Sequence, residues 1–295
     1  MAENKGALSF SNATGLSPKQ KVVDVGAYQI AGDPVYAPLL ADPKTELIGF
    51  EPNPDALAAL RGSQGSGRVF LPFAVGDGRR RTLHICAAPD MTSLLEPNPD
   101  VLNLFHGFPT WGQVVATESV QTVRLDDLAE TSGATFLQMD IQGAELMALQ
   151  HAQNRLRDAL VLHLEVEFLP LYVDQPLFSD VEQFLRFRGF VFHRFFAPTS
   201  RVIQPMVVGG NVMSGLSQLV WADAVFVRDF SRLERLDTPE LCALAAIMHD
   251  CYGSWDLTQH LLIELDRRTH GTLGAEYVST LGRAPRRQPT PAAAA

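Results

Sequence analysis

The sequence predicts an α/β protein: a mostly parallel sheet with helices on both faces, followed by a helical extension. Three observations carry that prediction. From Lys21 to about Phe230, short β-rich runs alternate with helical stretches. Acids and glycines close several of those runs, at the strand ends where open parallel sheets hold ligands. The 295 residues are 46% hydrophobic and 19% charged, enough apolar material for one large core or two modest ones, which excludes disorder as the main state.

The elements follow in order. Lys21-Val22-Val23-Asp24-Val25-Gly26 is an apolar strand ending in an acid and a glycine, and Glu46 to Glu51 is a second. Pro54-Asp55 opens a helix, because proline in a first turn loses no needed donor and Asn53 caps it. Arg68 to Val75 reads as a third strand, with Thr82 to Ala87 as its hairpin partner across the Gly76-Asp77-Gly78 turn. Pro97 to Glu118 has the composition of a long loop anchored by Phe105, His106, Phe108 and Trp111, the kind that covers sites and here a candidate lid.

Regular structure resumes at Val120 to Leu125, then Thr135 to Asp140 as a fourth core strand and a helix from about Gly143. Leu160 to Glu167 is the fifth strand, Phe178 to Arg188 a helix stopped by Gly189, and Phe190 to Phe196 and Trp221 to Val227 the last two strands. Beyond Asp229, Thr238 caps a helix with Leu241, Leu244, Ala245 and Met248 on one face. A second helix from Ser254 to Arg268 carries Leu257, Leu261, Leu262 and Leu265. These stripes suit packing on the main domain or a homo-oligomer contact. The expected organisation is an N-terminal segment 1–20, a main domain 21–230, a helical extension 231–282 and a disordered Pro-rich tail 283–295.

The formal charge of −9 argues against nucleic-acid phosphate or an anionic membrane surface as a partner. No apolar run approaches the ~20 residues of a spanning helix. The start lacks the apolar stretch of a signal peptide, so the expected location is cytoplasmic and the Asn12-Ala13-Thr14 sequon has no route to glycosylation. Cys86, Cys242 and Cys251 are widely spaced and read as buried thiols.

The strand-end rule selects Asp24, Glu51, Asp140, Glu165 and Glu167 as acids converging on one edge. Glu51 follows Asp24 by 27 residues, close to the interval at which such folds place an acid on a cofactor ribose. The glycine fingerprint for pyrophosphate is absent, since Ala27, Tyr28, Gln29, Ile30 and Ala31 follow Gly26. Such a turn suits a cationic, phosphate-free adenosine ligand, and S-adenosylmethionine fits.

On these blocks the chain resembles the FkbM family of S-adenosylmethionine-dependent methyltransferases: Val22 to Ala27, Gly49 to Pro54, Ala74 to Asp77, Thr92 to Leu95, Val123 to Leu128 and Met139 to Glu145. The resemblance implies a seven-stranded class I methyltransferase fold over roughly residues 20–195. It implies Asp24 and Gly26 near the methionine part of the cofactor, with Ala27, Tyr28 and Gln29 in the same turn. Glu51, with Pro52 and Asn53, would lie at the ribose, and Ala74, Val75 and Ser93 near the adenine.

Methyl transfer to a hydroxyl needs a base within hydrogen-bond reach. Asp140, the first choice, and Glu165 and Glu167 are the candidates, with His163 on the same strand face as the two glutamates. One carboxylate acts alone, or carboxylates and a histidine hold Mg²⁺, or the cluster is structural; the metal-free base is preferred. Glu145 favours its helix dipole, and His193 and Arg194 read as strand core. The expected activity is O-methylation of a sugar, glycan or secondary metabolite. N-methylation of an amide or peptide, a non-catalytic scaffold and, least favoured, a nicotinamide-dependent oxidoreductase are the alternatives.

Overall fold

The computed structural model describes residues 8–27, 33–62, 65 and 67–283. Among them the strands are β1 (Lys21–Val25), β2 (Glu46–Phe50), β3 (Arg68–Leu71), β4 (Ala74–Val75), β5 (Arg80–Cys86), β6 (Val114–Val123), β7 (Phe136–Met139), β8 (Val161–Glu167), β9 (Phe190–Arg201) and β10 (Gln218–Arg228). The helices are α1 (Phe10–Thr14), α2 (Pro54–Gly62), α3 (Pro99–Leu102), α4 (Phe108–Trp111), α5 (Glu145–Gln150), α6 (Gln153–Asp158), α7 (Phe178–Arg186), α8 (Thr238–Asp250), α9 (Trp255–Thr269) and α10 (Leu273–Arg283).

A seven-stranded sheet runs β3-β2-β1-β7-β8-β10-β9. Its first five strands pair in parallel, and β10 inserts antiparallel between β8 and β9. Strand order reverses beside β1, so the crevice for a ligand lies at the carboxyl ends of β1 and β7.

Alternation along the strands divides the core. Val22, Phe136, Val161 and Val225 face Leu244, Leu261 and Tyr277 of the C-terminal helices. Val23, Leu137, Leu162 and Phe226 face Leu149, Leu156 and Leu185 on α5, α6 and α7. The C-terminal stripes are thus spent on one face of the main sheet.

Several expectations need correction. The run Arg68 to Val75 is two strands, because Pro72 has no N–H to continue a ladder. The second piece, β4, joins β6, and β5 pairs antiparallel with β6 rather than with β3. The stretch 97–118 is not a simple loop: Pro99 and Pro109 sit in the first turns of α3 and α4, and β6 starts at Val114. Its Phe105 and Phe108 form a third buried cluster with Leu102, Leu171, Tyr172 and Val220. The cap of α8 is Asp237, whose carboxylate accepts from the Glu240 amide while Glu240 reaches back to the Asp237 amide. A third C-terminal helix, α10, follows α9. His249 ties it in: its Nε2–H donates to the Leu8 carbonyl (2.7 Å) and its Nδ1 accepts from the Tyr277 hydroxyl (2.7 Å).

The last residue of β10, Arg228, ties several segments together. The Arg228 guanidinium donates to the carbonyls of Ala159 (2.8 Å), Arg188 (3.0 Å), Arg157 (2.7 Å) and Leu156, and lies 4.2 Å from the Phe190 ring centre. It closes the end of α6, whose carbonyls carry the negative pole, and joins it to the turn before β9. Arg228→Ala is expected to lower unfolding free energy by about 2–4 kcal/mol, since charged hydrogen bonds are lost together. Arg228→Lys should recover only part, because an ammonium does not span four carbonyls. Denaturant titration measures both, and an unchanged midpoint in the alanine variant would contradict the assigned role.

Candidate active site

The crevice is set by a backbone approach. Gly26 has φ +83°, and a Cβ there would lie 2.1 Å from the Asp140 carbonyl oxygen. Only glycine fits, so the ends of β1 and β7 touch, with the Asp140 amide donating to the Val25 carbonyl (3.0 Å). Ala27 follows, buried, its amide on the Phe50 carbonyl (3.0 Å). Tyr28 and Gln29 lie outside the described residues.

Asp24 is fully buried. Its Oδ2 accepts from the Tyr36 hydroxyl at 2.5 Å, while Oδ1 has no partner among the described residues. Burial pushes its pKa up to about 7, the Tyr36 bond opposing and the charges of Asp140 and Glu51 adding. In register beside it stand Gln138 and then His163 on one sheet face. The buried Gln138 Oε1 is also without a partner among the described residues.

At the end of β2, Glu51 is buried and its Oε1 accepts from the Asn53 amide (2.8 Å). Asn53 caps α2 by accepting from the amides of Asp55 and Ala56, and Pro52 is exposed. Ala74 and Val75 form β4, Val75 buried. The Ser93 hydroxyl donates to the Gln142 carbonyl (2.7 Å).

Gln142 organises the acids. Its backbone is left-handed, φ 55°, immediately before Gly143 at φ 92°. That conformation turns its amide Nε2 to donate to Asp140 Oδ1 (2.7 Å) and Glu165 Oε2 (2.6 Å), while Oε1 accepts from the Tyr172 hydroxyl (3.2 Å). Sequence reading named the residues around Gln142 but gave it no role; its signal was a long amide between Asp140 and Gly143.

Asp140, Glu145, Glu165 and Glu167 gather here. Asp140 opens furthest to solvent. Glu165 is pushed well above the usual carboxylate range, by burial first and then by Asp140, Glu167 and Glu145. Burial likewise raises Glu167 to about 8. Glu145 is raised too, although its Oε1 accepts from the Ile141 amide (2.7 Å). Asp140, though open on one side, is also raised by the protein packed around it, against its bonds with Glu165 and Gln142 and with the charges of Asp223 and Asp90 adding. Like charges this close do not all ionise, so protons remain stored on the buried glutamates.

His163 shares the strand face of Glu165 and Glu167 but faces a different set of partners. Its Nε2 lies 3.3 Å from Asp223 Oδ2, and its Nδ1 is hydrogen-bonded to the Tyr252 hydroxyl (3.1 Å). Asp223, on β10 directly opposite Glu165, went unnoticed in the sequence because it sits mid-strand. His193 and Arg194 bond the C-terminal layer, at Ser254 (2.8 Å) and the Tyr252 carbonyl (2.5 Å). Among the described residues, no group of three or more His, Cys, Asp and Glu side chains is arranged to hold a metal ion. No helix among them is long and apolar enough to cross a membrane.

The raised carboxyls have a measurable consequence. Asp24 and Glu167 bind protons up to about 7 and about 8 when folded, against 3.8 and 4.5 ordinarily, so the native state holds protons that the unfolded chain releases. Stability of the protein without ligand should therefore fall as pH rises through that window. Glu167→Gln is expected to flatten the slope and to gain on the order of 3 kcal/mol at the alkaline end. Denaturation midpoints across the range measure this, and a slope as steep as in the parent would contradict it.

Residues 24–192, more than half of the chain, match the methyltransferase FkbM domain. Among curated proteins none matches the chain significantly. Two similar solved structures are methyltransferases. Magnesium protoporphyrin IX methyltransferase from Synechocystis PCC 6803, with bound S-adenosylmethionine, is 12% identical over 72% of each chain, TM-score 0.35. The 16S rRNA (adenine(1408)-N(1))-methyltransferase from Catenulisporales acidiphilia is 13% identical over 74% of this chain and 91% of its own, TM-score 0.34. The domain match takes in the strand-end acids of β1, β2, β7 and β8, and on that match the chain belongs to the FkbM family of S-adenosylmethionine-dependent methyltransferases.

Proposed function

We propose that the protein methylates a hydroxyl of a sugar, glycan or secondary metabolite, with Asp140 as the base. The observation that carries this reading is the geometry of the acids: Asp140 is solvent-open and held by the Gln142 amide, which also binds Glu165. A carboxylate whose pKa is raised is better matched to taking a proton from an alcohol than an ordinary aspartate.

The residues present fit the cofactor. The Oδ1 of Asp24, buried and without a partner among the described residues, suits an ammonium donor, and Glu51 at the end of β2 suits ribose hydroxyls. When bound, S-adenosylmethionine supplies an electrophilic methyl group on a sulfonium. Asp24 would hold the cofactor's amino end and Glu51 its ribose, leaving Asp140 to accept the proton of the acceptor's hydroxyl. Gln142 keeps Asp140 oriented, and Ser93 with Val75 and Ala74 borders the adenine end. The reading assigns no Mg²⁺. Residues 21–230 carry the catalytic unit, and the helices beyond Asp229 back it through Tyr252.

Glu51→Ala should weaken binding of S-adenosylhomocysteine by about 1.5–3 kcal/mol in calorimetry, the value of charge-assisted hydrogen bonds. Unchanged affinity would remove the ribose assignment. Asp140→Asn should lower turnover by about 10²- to 10⁴-fold while leaving cofactor affinity near that of the parent. Retained turnover would move the base to Glu165 or Asp223. Product analysis after an acceptor screen decides between oxygen and nitrogen, and turnover is expected to persist in EDTA.

A further inference from the structure

The connection between β9 and β10 is unlike the rest of the surface. No charged residue occurs from Val202 to Ala222, in a chain that is 19% charged. Within it Ile203, Met206, Val207, Val212, Met213 and Leu216 are each exposed by 39–61%. Aliphatic groups exposed so densely are held in place rather than loosely trailing. Phe105 and Ile203 form a β-bridge, the Gln204 amide donates to the Leu104 carbonyl (2.9 Å), and His106 Nε2 donates to the Met206 carbonyl (3.0 Å). Gly215 packs on Ser200, where a Cβ would come within 2.1 Å of the hydroxyl oxygen.

The segment is continuous with the acid crevice. Trp221 lies in register with Glu167, and its ring packs on Phe108 in the cluster that holds Tyr172, the hydroxyl partner of Gln142. Arg201, at the root of the connection, lies 4.7 Å from the Trp221 ring centre, and its Nε–H is buried with no acceptor among the described residues. Moving outward, the crevice therefore presents carboxylates, then one guanidinium with an unused donor, then a charge-free aliphatic surface. An anionic bilayer asks for clustered lysines and arginines, whereas this segment is flanked in the sequence by one arginine, Arg201, and one aspartate, Asp223.

From this gradient, and resting on the methyltransferase reading above, we infer that the acceptor is an amphiphile: its hydroxyl reaches the acids and its hydrocarbon portion lies on residues 203–216. The aliphatic side chains confer the specificity, and Arg201 receives an acceptor oxygen where the polar part begins.

The test uses the full chain loaded with S-adenosylhomocysteine and titrated with methyl, hexyl and octyl β-glucoside below their micellar concentrations, read by tryptophan fluorescence. Affinity is expected to rise about two- to fourfold per methylene over the longer chains. In the triple variant M206S/V207S/L216S, which alters exposed side chains only, that dependence should vanish while affinity for S-adenosylhomocysteine is unchanged. Binding of S-adenosylhomocysteine with no chain-length dependence, or a dependence that survives in the variant, overturns this proposal alone. Absence of S-adenosylhomocysteine binding sinks the methyltransferase reading and the proposal with it. Sedimentation with phosphatidylcholine–phosphatidylserine vesicles, or self-association, that the parent shows and the variant loses would instead assign the surface to a bilayer or to a second copy.

Discussion

The site depends on carboxylates packed closer than their charges allow. Water solvates isolated carboxylates cheaply, but at the ends of β7 and β8 the neighbours of Glu165 are Asp140, Glu145 and Glu167, and burial removes the solvent that would screen them. Two devices make the arrangement tenable. Protons stay on the buried members, and the Gln142 amide places its donor between Asp140 and Glu165. The left-handed backbone at Gln142 and Gly143 follows from this need, because it points the amide inward at the strand end rather than along the next helix.

The C-terminal helices belong to the same construction. Tyr252, just beyond α8, is buried: its hydroxyl is hydrogen-bonded to His163, and its ring stacks on that imidazole at 6.1 Å. His163 in turn lies against Asp223, 3.3 Å from its Oδ2, so the rear of the acid crevice is built from the sheet and from the helical layer at once. A three-helix layer that looks peripheral in the chain is in contact with the polar row Asp24–Gln138–His163 through the His163 imidazole.

Much of this was legible in the sequence because periodicity and strand-end chemistry are local signals. Val22 to Gly26 and Glu46 to Glu51 announce themselves as apolar runs closed by an acid or a glycine, Leu160 to Glu167 announces its polar face by alternation, and Asn53 announces a cap. Other features depend on distant partners. Nothing near Arg80 to Cys86 says that it pairs with Val114 to Val123 instead of the preceding strand, since a short turn after Val75 looks like any hairpin. Phe105, Phe108 and Trp111 read as loop anchors, because their cluster is completed by Tyr172 and Val220, far along the chain. Asp223 was invisible for the same reason: its meaning comes from His163 and Glu165 on the adjacent strand. Asp237 displaced Thr238 as the cap because both residue types cap well and only the Glu240 reciprocal bond separates them.

The place of β10 carries a consequence for how the chain comes to be assembled. It is the last strand made, yet it sits between β8 and β9 and supplies the pairing that holds β9 in the sheet. During synthesis the apolar edge of β8 stays unpaired until Gln218–Arg228 has left the ribosome, and Phe10 reaches its bond to Asp250 later still. Edges left open in this way are templates for pairing with other chains. The interval between the emergence of β8 and that of β10 is thus the period in which a nascent chain is most exposed to aggregation, and the demand for chaperones concentrates there.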